Sequence, residues 1–420
     1  MSSGEGRLEP TLSLFDAISI GLGAIIGGGI FVVTGIAAGL AGPALILSIS
    51  IAAIISLVTA MSFAELTAWL PAEGSVYEFS YRLVSPVVGY SAGWMWIISN
   101  IFAGATVSLG FGYYLTALAP TLDPKLVAVI LCMLFTTLNC VGVQESAKFN
   151  NLLVISKIVV LGIFIIAGLP HLNYEFFKIQ GEYLSGILPG TFYIFFAYGG
   201  FARVAVIAEE VKDAEKTVPR AILIALVASA IIYILVGGVA VGLIGAERLG
   251  RSNSPLAEAI SAAGNPLLLS IVSIGGMLAT ASVLLTSILG VSRMAYAMSI
   301  RGDLPLFLGK IHSRVKTPYI SVLTAGSVIA VLILLLDLRD IVAVSTFGLL
   351  FNYSLANLSA FKLDSRVRRY PRPLPAIGLA TSTILLCFIQ PSTLVMSIVF
   401  LLGGIIHHML KKSYLESGDK

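Results

Sequence analysis

Charge is the scarcest resource of this sequence. Only 11% of its 420 residues are Asp, Glu, Lys or Arg, against roughly 25% in soluble globular domains. That scarcity, with 57% hydrophobic residues and a mean hydropathy of +0.96, excludes a soluble domain and specifies an integral membrane protein. Other absences narrow the chemistry. The three cysteines, Cys132, Cys140 and Cys387, all fall in apolar runs and read as packing residues rather than a disulfide or metal set. His171, His312, His407 and His408 are the only histidines; they read as interface or loop residues without metal-ligand spacing, so neither metal nor cofactor is expected. No GxxxxGK[ST] phosphate loop is present, which argues against a primary pump, and there is no HExxH and too few intramembrane acids for a carboxylate dyad, which argues against a membrane enzyme. No hydrophilic stretch is long enough for a separate soluble domain.

Apolar runs recur along the whole chain. Crossing about 30 Å of hydrocarbon takes roughly 20 helical residues, and such runs predict twelve α-helical spans, near residues 13–39, 43–68, 84–118, 124–143, 150–170, 187–208, 219–243, 266–298, 319–336, 340–361, 375–390 and 392–410. The first run is long, interrupted by Gly27 to Gly29 and without a basic leader or cleavage site, so it is expected to remain in the mature chain rather than act as a signal peptide. An even number of spans puts both termini on one side. Nineteen lysines and arginines fall in one set of loops and five (Lys125, Lys178, Arg248, Arg251, Arg339) in the other, leaving Lys157 and Arg203 inside the membrane. That asymmetry predicts cytoplasmic termini in a cell membrane. It also accounts for the net charge of +4, so no nucleic-acid partner is expected.

Two glycine clusters break the apolar pattern. "IIGGGIF" (25–31) interrupts the first span and "FFAYGGF" (195–201) lies in the sixth. Five spans is an odd number, so a repeat starting at the sixth would be inverted, and glycine-interrupted segments at matching places in inverted halves point to a transporter's substrate site. Glycine allows unwinding; freed backbone groups are tolerated in hydrocarbon only beside a buried or watery cavity. A half-helix N-terminus would then face an anion and a half-helix C-terminus a cation, which suits a zwitterion. Close helix packing is the alternative use of such glycines.

Together with "AELTAWLPAEGSVYEF" (64–79), "FFAYGGFARVAVIAEEVKDAEKTVPRAI" (195–222) and "SRMAYAMSIRGDLPLFLGKI" (292–311), the segment "GLGAIIGGGIFVVTG" (21–35) resembles the amino acid-polyamine-organocation superfamily of amino acid permeases over essentially the whole chain. The resemblance implies an all-α membrane fold with a five-plus-five inverted repeat and two extra C-terminal helices, the first and sixth spans broken. In residues this is one transporter domain over 11–411, with repeats at about 11–170 and 187–363 and extra helices at 375–411. It further implies that Ile25, Gly27, Gly28 and Gly29, with Phe196, Ala197 and Gly199, hold the amino acid's backbone ends, and that the Phe196 ring closes over it from outside.

Lys157, about 9 Å into the fifth span, is too deep to reach the interface comfortably. Desolvation penalises a buried charge, so such a lysine can exchange its proton. By resemblance it occupies the place of an ion between the first and eighth spans, with the Gly23 carbonyl and Ser282 as contacts, and proton coupling is favoured over sodium because Ala281 precedes Ser282. Uniport and exchange stay open, as does a fixed structural charge. Arg203 departs from the family pattern. Four residues beyond Gly199, it would face the substrate and could grip a side-chain carboxylate; an ion pair with Glu65 or Glu210 is the alternative. Glu65, Glu209, Glu210 and Arg293 are candidates for an inner gate, and Asp16 for an N-terminal dipole partner. Secondary transport of an amino acid by alternating access leads, ahead of a membrane enzyme or a non-transporting sensor.

Overall fold

The computed structural model describes residues 11–418 except 71–74, 143–146, 180, 207–209, 313 and 316, so Glu209 lies outside the described residues. The chain is almost entirely helical. It opens with α1 (Leu14–Ile25) and α2 (Gly28–Ala41), continues through α3 (Leu45–Trp69), the short α4 (Val76–Leu83), α5 (Pro86–Leu118), α6 (Pro124–Val141) and α7 (Ala147–Gly168), and reaches α8 (Ile187–Tyr198) and α9 (Ala202–Val206). Then follow α10 (Ala214–Ile244), the short α11 (Ala246–Gly250) and α12 (Pro255–Ser261), α13 (Pro266–Ile300), α14 (Tyr319–Leu335), α15 (Leu338–Phe361), α16 (Pro373–Leu385) and α17 (Pro391–Gly418). Among the described residues the β pairing is a single parallel bridge between Leu12 and Val211.

Nine helical runs among the described residues are long and apolar enough to cross a membrane, and Tyr319–Leu335 and Pro373–Phe388 are shorter apolar helices. The protein is a multi-pass membrane protein. One of the nine, Leu14–Trp69, has 56 residues, more than twice what one crossing needs. It is divided by the non-helical pair Ile26–Gly27 and by a 3-10 turn at Gly42–Ala44.

Local chemistry sets the helix starts. Ser13 and Asp16 form a reciprocal capping box at the head of α1, which places the Asp16 carboxylate in its first turn. Ser85, Asp123 and Asn265 cap α5, α6 and α13, each followed by proline at the first helical position, where its missing N–H costs nothing. Gly142, at φ +83°, ends α6 in a left-handed cap. α10 begins five residues before the expected 219, so Pro219 lies inside it and cannot donate to the Glu215 carbonyl one turn back. Arg369 Nη1 donates there instead, at 2.7 Å.

α5 forms the centre of one group, packed against α13, α15, α6 and α14; α10 packs on α3 and α1, and α2 on α8. Polar side chains fasten the groups together. Asn357 on α15 accepts from Ser62 at 2.7 Å and donates to Thr59 at 3.1 Å, both on α3, while Ser99 and Ser345 each donate to the other's carbonyl across α5 and α15. Cys132 is buried and Cys387 exposed, all three thiols being free. His408 is tucked against the Tyr90 ring, 4.3 Å between centroids, with Nδ1 3.7 Å from Asp303.

Replacing Asn357 by Ala removes both interhelical bonds. We expect a loss of about 1–2 kcal/mol, read as a lowered midpoint of thermal unfolding in detergent; an unchanged midpoint means the amide is dispensable to the α3–α15 contact.

Candidate functional site

The interruption of the first span is two residues wide, and its consequences can be followed atom by atom. After Ile25 the chain leaves the helix at Ile26 (φ −75°, ψ 69°) and Gly27 (φ −112°, ψ −154°), and α2 starts at Gly28. Positive φ is not what the glycines provide, since none of Gly27, Gly28 and Gly29 adopts it. Close approach is. A Cβ on Gly29 would lie 2.5 Å from Ala197 Cα, and one on Gly200 2.1 Å from the Ala24 carbonyl oxygen. The two clusters are the surfaces through which the first and sixth spans touch, so the packing role weighed from sequence is real.

The sixth span is interrupted more mildly than expected. α8 passes into α9 through one 3-10 turn, Gly199–Phe201, with Gly199 at φ −62°, ψ −14° and Ala202 at φ −61°, ψ −19°. The change from four-residue to three-residue hydrogen bonding still releases carbonyls. Tyrosines take them. Tyr233 of α10, fully buried, donates to both Ile25 O at 2.6 Å and Ala197 O at 3.2 Å, and Tyr353 of α15 donates to Gly199 O at 2.5 Å. Sequence reasoning missed both. Their signal was a lone phenol in the middle of an apolar helix, which must find an acceptor when buried.

Both interruptions border a cavity of about 110 Å³. Ile25, Gly27, Gly28, Gly29, Phe196, Ala197, Gly199 and Arg203 all line it, so the structure brings the predicted substrate set together. The other walls come from α5 (Ser99, Asn100), α13 (Val283, Ser287) and α15 (Asn352, Tyr353), whose facing could not be read from the sequence. Of the groups here, Ser75 Oγ, Ser287 Oγ and Asn352 Oδ1 are buried without a hydrogen-bond partner among the described residues.

A second cavity of about 460 Å³ shares Ala24, Ser75, Trp96, Asn100, Arg203 and Val283 with the first and continues along α13 to the exposed Arg293 and Ala297. In the other direction α2 is buried almost throughout, packed on α8 and α11, with Tyr114 donating to Phe31 O at 2.6 Å. The site is therefore extended along α13, with the tightly packed α2 on its other side.

Lys157 lies on this second cavity with Gly23 and Ser282. It is 2% exposed, and its Nζ donates to Gly23 O at 3.3 Å, as the resemblance implies; a cation there also meets the negative end of the α1 dipole. The Ser282 hydroxyl donates to Ala279 O at 3.0 Å. Arg203 donates to Thr286 on α13. Glu65, offered as its partner, is buried and accepts instead from the Arg369 and Tyr370 N–H groups at 2.6 and 3.3 Å. Glu210 meets the chain start through its carbonyl, which accepts from Leu12 N at 2.9 Å. Among the described residues no ion pair joins Glu65, Glu210 and Arg293 in this conformation.

The ion pairs beside the cavity mouth involve other residues. Glu78 of α4 accepts from Arg82 at 2.7 Å and Arg301 at 2.8 Å, and Arg301 lies over the Tyr77 and Tyr81 rings. Burial pushes the Glu78 carboxyl up, but the two guanidinium hydrogen bonds more than offset it and hold it below the usual range. Its stabilising contribution is thus present at neutral pH, above the unfolded value of about 4.3, and is lost as acid carries pH down through the folded value.

Residues 12–406 of this chain match the amino acid permease family. The chain belongs to that family. It is a transporter and not an enzyme. The permease is 34% identical to an uncharacterised transporter of Mycobacterium tuberculosis over 94% of this chain and 90% of the relative. It is 31% identical to a branched-chain amino acid permease of Bacillus subtilis, over 97% and 94% of the two chains, and 31% identical to a methylthioribose transporter of Bacillus subtilis, over 86% and 82%.

The glycine geometry separates packing from helix propensity. Gly29→Ala meets backbone and should cost about 1–3 kcal/mol. On α7, Gly162 has open space around its Cβ position, and Gly162→Ala should stabilise by up to about 1 kcal/mol. Thermal unfolding of both variants in detergent checks the contrast; equal midpoints would show that the Gly29–Ala197 approach does not matter.

Proposed function

We propose that this permease carries an amino acid across the cell membrane by alternating access, coupled to protons through Lys157. The observation that carries the reading is the meeting of the two interrupted segments at one cavity that continues along α13. The substrate carboxylate sits against the N–H groups of Gly28 and Gly29, where the α2 dipole is positive. Its ammonium faces the carbonyls of Ile25 and Phe196, Ile25 O keeping a second lone pair beside Tyr233. Phe196 closes the outer side, and this conformation is the inward-extended one, in which the Glu65, Glu210 and Arg293 gate charges stand apart.

In this reading α1 to α7 and α8 to α15 are inverted five-span repeats, about 11–170 and 187–363, within one domain over 11–411; α16 and α17 complete twelve crossings with both termini cytoplasmic. The second cavity then opens toward the cytoplasm, consistent with the basic loops on that side. Arg203 selects for a substrate with a carboxylate side chain and against lysine or arginine. The Lys157–Gly23 bond supports a second reading, uniport or exchange, in which Lys157 is a permanently charged tie between α1 and α7.

The test is uptake by purified protein in liposomes, across a panel of radiolabelled amino acids, under a proton gradient, a sodium gradient, or with unlabelled amino acid inside. We expect accumulation driven by the proton gradient alone, and Lys157→Gln should abolish that drive while leaving exchange. Proton-driven uptake by the variant would remove Lys157 from coupling. Arg203→Ala should lower acidic amino acid uptake by about tenfold or more, the worth of a lost charged hydrogen bond; an unchanged ranking of substrates would make Arg203 structural.

A further inference from the structure

The connector between α15 and α16 has a composition unlike the rest of the chain. Between Phe361 and Pro373 it carries Lys362, Arg366, Arg368, Arg369 and Arg372 against the single acid Asp364. We infer that this connector binds a phosphate-type anion at the membrane surface, and that the anion tightens a clasp between α15 and the helices α3 and α10.

Arg368 is the organising residue. Its Nη2 donates to Phe361 O at 3.0 Å and Leu363 O at 2.8 Å, capping the free carbonyls at the end of α15. The guanidinium is thereby held in one place, yet its Nη1 is buried with no hydrogen-bond partner among the described residues. Leaving a charged donor unpaired is unfavourable, so the site is short of an acceptor. An open concavity lies here, lined by Arg368 with Phe361, Lys362, Asp364, Ser365 and Arg372. Asp364 does not supply the missing charge: among the described residues no ion pair joins it to Arg368, and its Oδ1 accepts within the turn from Arg366 N at 2.9 Å and Ser365 Oγ at 3.4 Å. Arg372 is steadied over the Phe361 ring at 4.6 Å, while the Lys362 side chain is exposed. One fixed guanidinium, a second on an aromatic ring and a mobile ammonium suit the several oxygens of a phosphate better than one carboxylate.

The position explains what occupancy does. In the twelve-span topology proposed above, on which this step rests, the connector lies where α15 and α16 leave the hydrocarbon, at the depth of lipid headgroups. Directly after Arg368, the N–H groups of Arg369 and Tyr370 hold the buried Glu65 of α3. The Arg369 guanidinium holds Glu215 at the start of α10, at the carbonyl that Pro219 leaves free. An anion that fixes Arg368 fixes this clasp, so binding stabilises the folded protein by linkage.

The experiment titrates full-length protein in detergent with dihexanoyl phosphatidylglycerol, dihexanoyl phosphatidylcholine or inorganic phosphate at matched ionic strength, reading the midpoint of thermal unfolding. We expect phosphatidylglycerol to raise the midpoint and phosphatidylcholine not to. Lys362→Gln should shift the titration to about fivefold higher concentration, the worth of one surface cation. Lys362 makes no side-chain hydrogen bond among the described residues, so this variant keeps the fold; Arg368→Lys then tests the planar fork, and should also weaken binding. A rise with inorganic phosphate equal to that with phosphatidylglycerol, weakened by the same variants, assigns the site to a free phosphate and upholds it. No rise with either, an equal rise with phosphatidylcholine, or variants that titrate like the parent protein would overturn it.

Discussion

No backbone polar group can be left without a partner inside hydrocarbon, and this one constraint organises the centre of the molecule. A continuous helix meets it automatically. This chain departs from continuity in the first span and again, more gently, in the sixth, and every carbonyl so released has to be dealt with by something else. Tyr233 takes two of them, Tyr353 a third and the Lys157 ammonium a fourth. The interrupted segments are thus held by side chains from α10, α15 and α7, which means they can be repositioned only if those helices take part.

The glycines contribute differently from a simple helix breaker. None of those at 27 to 29 and 199 to 200 adopts positive φ, and their value lies in bringing two main chains within contact distance. Packing and cavity formation are two results of one arrangement. The same absence of side chains that lets α2 touch α8 leaves backbone lining the space between them.

Charge follows a similar economy. The few ionisable residues that enter the protein interior are each assigned a backbone or hydroxyl partner: Lys157 a helix end, Arg203 a threonine on α13, Glu65 two N–H groups of a distant connector. Glu78, Arg82 and Arg301 form the dense ion-pair cluster at the cavity mouth. Among the described residues no ion pair joins Glu65, Glu210 and Arg293 in this conformation.

Composition and periodicity were enough to establish an all-helical membrane protein, because the membrane's demand for long apolar helices is written residue by residue. The glycine clusters located the cavity in advance, since an interruption in an apolar run has few other tolerable uses, and Lys157 beside Gly23 followed from its depth and the resemblance. Other features depended on how helices face one another. Which sides of α5, α13 and α15 line the cavity, that Tyr233 and Tyr353 reach the released carbonyls, that the sixth span bends through a 3-10 turn, and that Glu65 turns to Arg369 rather than Arg203 were all decided in three dimensions. In helices apolar all round, the sequence carries almost no amphipathic signal to mark the inward face, and only tertiary packing supplies it.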